Sequence, residues 1–397
     1  MLITILVFLL ILSVLVLIHE LGHFFVAKRL GIKVEEFGFG FPPRAISFKK
    51  GETIYSINWL PIGGFVKLYG EDEAGGGSIK LKIKNEKLKI EDKERAFFSR
   101  SPWERILIVI AGVVMNAGLA IIIFYTFLIV SNFQTELPLL SDYKFFGVNQ
   151  RNTKDIVISD IAKNSPAEKA GLRSLIKIVS ANGREIKDIK DFTNIVNANK
   201  GKEIEIEWRD LQTRDITKTK IVPRLNPPKN EGALGVVLFS VSTAMLNYET
   251  KYQKTFSGIV HPINLMIYQI DVVGKLIKVS FERKTTEPLS QGVAGPVGIA
   301  SVTGSILQIP DLKEKILGLL NLAGLLSISL AFFNILPIPA LDGGRLFFIL
   351  IEAVTGKKIN QKAESLIHTV GMALLLILMA LITFKDIKNL IGFFQMP

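Results

Sequence analysis

The sequence predicts a polytopic α-helical membrane protein with four transmembrane helices, a membrane-associated β-hairpin and an extracytoplasmic α+β domain. Three observations lead there. Four apolar runs, at 1–18, 105–130, 316–339 and 367–384, are each long enough to cross a bilayer core. Apolar residues make up 49% of the 397 and mean hydropathy is +0.36, yet 21% are charged, so the spans must alternate with watery segments. Lys and Arg crowd one side of the spans, which sets their orientation.

The first helix, predicted over 1–27, opens with "MLITILVFLLILSVLVLI", interrupted only by Thr4 and Ser13. It then reads His19, Glu20, Leu21, Gly22, His23. An ionisable side chain in such a segment costs roughly 2.5–3.5 kcal/mol on insertion scales, so it points to a functional site. On a helix His19 and His23 lie one turn apart on one face. Two imidazoles so placed can bind one zinc ion, which leaves Glu20 as general base toward a zinc-bound water. The plain alternative is a pair of incidental histidines at a helix end. The chain has only 4 His, and two of them fall in this one H-E-x-x-H.

Residues 28–104 follow as a cytoplasmic, membrane-associated segment. Here "RAISFKKGETIYSINW" reads as two strands around a Lys-Lys-Gly-Glu turn, flanked by Gly38, Gly40, Gly63 and Gly64. A strand edge beside a membrane site has a chemical use. Peptide bonds in a spanning helix are hydrogen-bonded internally, and a locally unwound segment can find new partners by strand addition.

The second span is predicted over 105–131 and a folded domain over 132–226. In that domain "DIVISDI" and "KEIEIEWRD" alternate as strands, and "IKDFTNIV" repeats apolar residues at helical spacing. Residues 227–315 read as an extracytoplasmic linker. Within it, 258–282 sets Asp271, Lys275, Lys278 and Glu282 in one charged stripe, which predicts an interfacial amphipathic helix rather than a fifth span. The third span (316–339), a short segment carrying Leu-Asp-Gly-Gly (340–366), the fourth span (367–387) and a tail (388–397) complete the chain.

Lys28, Arg29, Lys33, Lys93, Arg95, Arg100 and Arg105 flank the first two spans on the 28–104 side. Arg345, Lys357, Lys358 and Lys362 lie between the last two. Both loops are therefore expected in the cytoplasm and 131–315 outside. The net charge of +12 is scattered among acidic residues without an aromatic–basic stripe, so no nucleic-acid partner is expected. It reads instead as attraction to a membrane surface of lipid headgroups. The chain has 0 Cys, which excludes disulfides and thiolate ligands. The first run lacks a basic n-region and a small-residue cleavage site, so it reads as an anchor.

A catalytic zinc takes three protein ligands and keeps one position open. The third is to be sought among His261, His368 and the carboxylates. Asp342, in "FNILPIPALDGGRLFF", is favoured by topology, since two crossings return the chain to the side and depth of His19 and His23. Asp-Gly is also ordinary turn chemistry. His368 is a weaker rival at the start of the fourth span, and His261 reads as an interfacial histidine across the membrane.

"HELGH", "NILPIPALDGG" (334–344) and the domain between them resemble the site-2 protease family of intramembrane zinc metalloproteases. The likeness is to the bacterial regulator-of-sigma-E protease branch, in a form with a single PDZ-like domain. It extends to "FGFGFPP" (37–43), "PIGGFVKLYGEDE" (61–73), "AGVVMN" (111–116), "AGPVGIA" (294–300) and "GMALLLILMALITFKDI" (371–387). The resemblance implies His19, His23 and Asp342 as zinc ligands, Glu20 as base, and Asn334 as a holder of the substrate backbone. It implies substrates that are single-span proteins already trimmed outside the membrane, such as anti-sigma factors, and signal-peptide remnants. It also implies residence in the bacterial cytoplasmic (inner) membrane and a part in stress-response signalling.

Two departures stand out. Val113 occupies a position where the family has proline, and Leu175 and Ile176 replace the Gly-Asp usual after the Ala-Gly-Leu turn of such PDZ domains. Two alternatives remain. One is another H-E-x-x-H membrane zincin with a downstream glutamate as third ligand. The other is a non-proteolytic PDZ scaffold with a relict metal site, against which the intact Glu20 speaks.

Overall fold

The computed structural model describes residues 2–71, 94–140, 142–211, 215–229, 231–357 and 360–394. Lys93, Lys358 and the Asp72-Glu73 end of the glycine-rich motif lie outside them. The chain divides into two compact units, Met1–Phe127 with Gly258–Pro397, and Leu128–Ser257.

Helix α1 (Leu2–Arg29) carries the first apolar run and ends on Gly31 at φ 74°. Two long strands follow, β1 (Val34–Lys50) and β2 (Thr53–Leu68). They form more than the simple hairpin expected from 44–59. Residues 36–39 of β1 pair on one side with Lys67, Val66, Phe65 and Gly64, and on the other with Ile54, Tyr55, Ser56 and Ile57. The outer stretch Ser47–Lys50 closes on Ser56–Thr53. Each strand therefore bends back on itself, at Gly40 (φ 77°) and Gly63 (φ 80°), and the ribbon becomes four strand segments wide. Residues 64–68 form one edge. Near its turned end the ribbon exposes Ile46, Phe48, Ile57, Trp59 and Leu60, an apolar surface of the kind that meets lipid or protein.

Helix α2 (Pro102–Val130) starts on a capping box. The Ser101 hydroxyl accepts from the Glu104 amide at 3.3 Å, the Glu104 carboxylate accepts from the Ser101 amide at 2.9 Å, and Pro102 opens the helix. Ala27, Ile32, Val34, Leu68, Phe97 and Ile108 are buried together where α1, the ribbon and α2 meet.

The second unit comprises β3 (Gln134–Leu139), β4 (Asn149–Ile161), α3 (Pro166–Lys169), β5 (Ile176–Ala181), β6 (Arg184–Glu185), α4 (Ile189–Ala198), β7 (Ile204–Asp210), β8 (Ile216–Ile221) and β9 (Val236–Asn247). Among the described residues its seven strands form an antiparallel sheet ordered β3-β9-β4-β5-β7-β8, with β6 beside β5. Ile156, Ile158, Ile176, Ile178, Ile204 and Ile206 alternate inward from three neighbouring strands and meet Phe192 and Val196 of α4. The expected boundary at 226 is corrected by β9. This strand pairs with both β3 and β4, so the domain runs on past residue 247. A strand whose partners lie about a hundred residues upstream carries no local signal of membership.

Helices α5 (Lys251–Arg283), α6 (Glu287–Gly292), α7 (Pro296–Gln308), α8 (Leu312–Ile335), α9 (Asp342–Thr355) and α10 (Gln361–Phe394) complete the first unit, which α5 enters at Gly258. Helices α1, α2, α8 and α10 are long and apolar enough to cross a membrane, and α5 is not among them. The third helix begins and ends about a turn earlier than expected, because Pro337 and Pro339 cannot continue it. The fourth runs beyond both expected ends, into the tail. His261 of α5 is not an interfacial group: it is fully buried, its ring 5.1 Å from that of Phe124 on α2. Asp386 of α10 accepts the amides of Gly295 and Gly298 at 2.8 and 2.9 Å, which ties the start of α7 to the fourth span.

Leu175 sits at φ 62°, in the left-handed region where the related motif places glycine. At 41% exposure its burial offsets only part of the strain. Leu175→Gly is expected to stabilise the second unit by roughly 0.5–1 kcal/mol, the relief of strain exceeding the entropy that glycine adds to the unfolded chain. Slower hydrogen exchange across β5 in the variant is the check.

Candidate metal centre

Two glycines bring α2 against α1. A β-carbon at Gly22 would collide with the Ala111 carbonyl, and one at Gly112 would collide with Nε2 of both His23 and His19. Their absence lets the α2 backbone lie directly over the histidine pair. The His23 Nδ1–H donates to the Ile108 carbonyl at 2.8 Å, and this tautomer leaves its Nε2 lone pair free to ligate. Nδ1 of His19 lies 3.4 Å from the Asn116 amide nitrogen, while the Asn116 Oδ1 has no partner among the described residues. Exchanging the two ends of that amide gives the His19 Nδ1–H an acceptor and leaves Nε2 free to ligate.

Both Nε2 atoms converge with Asp342 at the start of α9. His19 Nε2 to Asp342 Oδ2 is 2.9 Å, His23 Nε2 to the same oxygen 3.3 Å, and the two Nε2 atoms are 3.2 Å apart. Donors about 2.0–2.2 Å from one tetrahedral ion stand about 3.3–3.6 Å apart, so two imidazoles and a carboxylate in this arrangement fit a zinc ion after a shift of a few tenths of an ångström. His19, His23 and Asp342 are the described residues that form such a cluster.

A cavity of about 500 Å³ opens beside them, lined by Glu20, His23, Asp342, Val66, Glu71 and Arg345 among others. Oε2 of Glu20 accepts the Val66 amide at 3.1 Å, so the carboxylate beside the cluster is held by the edge of β2. The next outward amide on that edge, Leu68, donates to Glu71 at 3.4 Å. Glu36, a cavity-lining glutamate downstream of the histidines, is instead taken by Arg44 at 2.9 Å and Ser56 at 2.7 Å.

Asn334 ends α8 half-buried and is not among the residues lining the cavity. His368 does not join the cluster. Its Nδ1 accepts the amide of Ala340 at 2.9 Å, a residue at φ 76° just before Asp342, so it fastens the loop that presents the carboxylate.

Residues 7–378 match Peptidase family M50. The chain belongs to that family. Two relatives align over nearly the full length of both chains. The zinc metalloprotease RasP of Bacillus licheniformis is 30% identical, covering 98% of this chain and 99% of its own. The regulator of sigma-W protease RasP of Bacillus subtilis is 29% identical, with the same coverage. Among solved structures, the PDZ domain of the SdrC-like protein of Listeria monocytogenes is similar at 16% identity, covering 25% of this chain and 93% of that one with a TM-score of 0.19. The resemblance read from the sequence is borne out, and this family member is a metalloprotease of the site-2 type.

Sequence reasoning missed the partners that orient the cluster: the Ile108 carbonyl, Asn116, the Val66 amide and His368. Of these, Asn116 carries a signal as the last residue of "AGVVMN", and His368 is visible as a rival ligand but not in the role it has. Backbone donors and acceptors have no sequence signature.

Gly112→Ala forces a methyl group into the histidine pair. It is expected to lower metal affinity at least about tenfold, since loss of ligand-orienting contacts costs this much, while helical content stays unchanged. Metal titration of the purified variant alongside its far-ultraviolet circular dichroism checks this.

Proposed function

We propose that this chain is an intramembrane zinc endopeptidase that cuts the spanning segments of proteins already trimmed outside the membrane. Anti-sigma-factor-like proteins and signal-peptide remnants are the substrate classes that the resemblance implies. The observation that carries the reading is the convergence of His19, His23 and Asp342 among helices that include four candidate spans, beside a cavity that also holds Glu20. In this reading His19, His23 and Asp342 hold the zinc and Glu20 is the base. The ion, when bound, acidifies water and polarises the scissile carbonyl.

The protein's own groups divide the remaining work. Glu20 takes a proton from the attacking water and returns it to the leaving amine. The Val66 and Leu68 amides on the β2 edge offer hydrogen bonds to a backbone that has unwound from its helix. A substrate strand that takes the Val66 amide also releases Glu20 from it. Asn334 is assigned to the substrate backbone by resemblance. The rival zincin with a glutamate ligand is disfavoured because Asp342 completes the cluster while Glu36 is engaged elsewhere. The relict scaffold is disfavoured because Glu20 still faces the cavity.

Glu20→Gln keeps the shape and an oxygen for the Val66 amide but cannot accept the proton. It should retain zinc and lose cleavage of a model spanning substrate at least about 100-fold. His23→Ala and Asp342→Ala should lose both metal and activity. Zinc content by atomic spectroscopy, read beside cleavage, separates the roles, and wild-type turnover in Glu20→Gln sinks the mechanism.

We further assign the ribbon to the cytoplasmic face of the bacterial inner membrane and the 128–257 unit, read as PDZ-like, to the outside. The Ser165 cap on α3 and the antiparallel sheet support the PDZ-like reading. Helix α5 would then lie along the outer surface with Asp271–Lys275 and Lys278–Glu282 pairs on its wet side. Ser257 is buried, so it is no site for a surface probe, whereas Tyr252 and Lys284 at the two ends are exposed. Single cysteines there should both label with an impermeant thiol reagent from outside. Labelling from opposite faces would make α5 a fifth crossing and part Asp342 from His19 and His23.

A further inference from the structure

The cavity contains an ion pair that the proposed chemistry does not use. Arg345 lies one helical turn beyond Asp342 on α9, so the two share a face, and both line the cavity. Its guanidinium holds the Glu71 carboxylate. Glu71 follows β2 in a turn, its amide bonded back to the Leu68 carbonyl at 3.2 Å. One Glu71 oxygen takes the Arg345 guanidinium and the other takes the Leu68 amide of the strand edge. A guanidinium opposed by an outward strand amide is how proteins recognise a peptide carboxylate. The other cations near the cavity are engaged in different pairs, Lys67 with Glu35 at 3.1 Å and Arg44 with Glu36.

Burial within the pair is unequal. The Glu71 side chain is 9% exposed and that of Arg345 26%, so the arginine keeps an open face toward the cavity. Removing a guanidinium's partner in such a site is costly unless another anion takes its place. We propose that Arg345 and the Leu68 amide form a carboxylate-binding subsite of the cavity, occupied in this state by the protein's own Glu71. The ligand is a peptide carboxylate, either the C-terminus of a cleaved product or an Asp or Glu side chain of a bound segment. A peptide laid along the β2 edge takes the Leu68 amide from Glu71, and its carboxylate replaces Glu71 on Arg345. This rests on strand addition at the β2 edge as proposed above.

The test needs no turnover, so it stands apart from the question of proteolysis. A fluorescein-labelled Ala/Leu octapeptide is prepared as a C-terminal acid, as an amide, and as an amide with one central Glu. Binding to the full-length protein in detergent is read by fluorescence anisotropy, with zinc and after chelation. At least one carboxylate form should bind about tenfold more tightly than the plain amide. The acid alone marks a product subsite, the Glu peptide alone a specificity subsite.

Glu71→Gln should tighten the preferred form further, and Arg345→Met should erase the preference. Chelation should leave it in place. A pair serving only as a structural strut would weaken binding when either partner is changed, so opposite signs for the two variants are diagnostic. Should Arg345→Met fail to fold, Arg345→Lys with Glu71→Gln carries the same comparison. Equal binding of all three peptides overturns the subsite, as does a preference that survives loss of the guanidinium or disappears on chelation.

Discussion

Two imidazoles and two carboxylates sit among apolar helices, and their desolvation is the constraint that the surrounding structure answers. An unpaired ion in such a place costs several kcal/mol. Here these groups are given partners by several different elements. Asp342 faces both histidines, His23 rests on the Ile108 carbonyl, and Glu20 takes the Val66 amide. The Ile108 carbonyl is within reach because Gly22 and Gly112 let α1 and α2 lie against each other. The glycines thus act on the chemistry through distance, without any functional group of their own.

The ribbon solves a second problem of the same kind. An edge strand exposes unpaired amides, which is a liability in most proteins. At residues 64–68 those amides are instead capped by carboxylates of the cavity, Glu20 on Val66 and Glu71 on Leu68. Side-chain acceptors can leave more easily than a neighbouring strand. The Val66 and Leu68 amides are thus satisfied in the free protein and still available to an incoming backbone, which suits the proposed cleavage of a segment that begins as a helix.

The second unit follows ordinary soluble-domain rules, with alternating isoleucines in the strands and an amphipathic α4 over them. Leu175 is one place where a local rule is broken, held at positive φ with its amide on the Ile158 carbonyl at 2.8 Å. The sheet hydrogen bond and the buried neighbour Ile176 keep a conformation that leucine disfavours.

The sequence by itself determined four apolar runs, the one-turn spacing of His19 and His23, strands β4 and β7 and helix α4 of the second unit, and Asp342 as the favoured partner of the pair. All but the last rest on local patterns of the chain, and the last on counting its spans. Tertiary structure alone decided what holds the site in place. That Asn116, Ile108 and Val66 hold the cluster and Glu20, that His368 fastens the Asp342 loop instead of joining the cluster, that β9 belongs to the sheet, and that the hairpin folds over into four segments all depend on contacts between distant residues. Most of these contacts are made by backbone amides and carbonyls, which every residue carries alike, so no pattern of side chains could announce them.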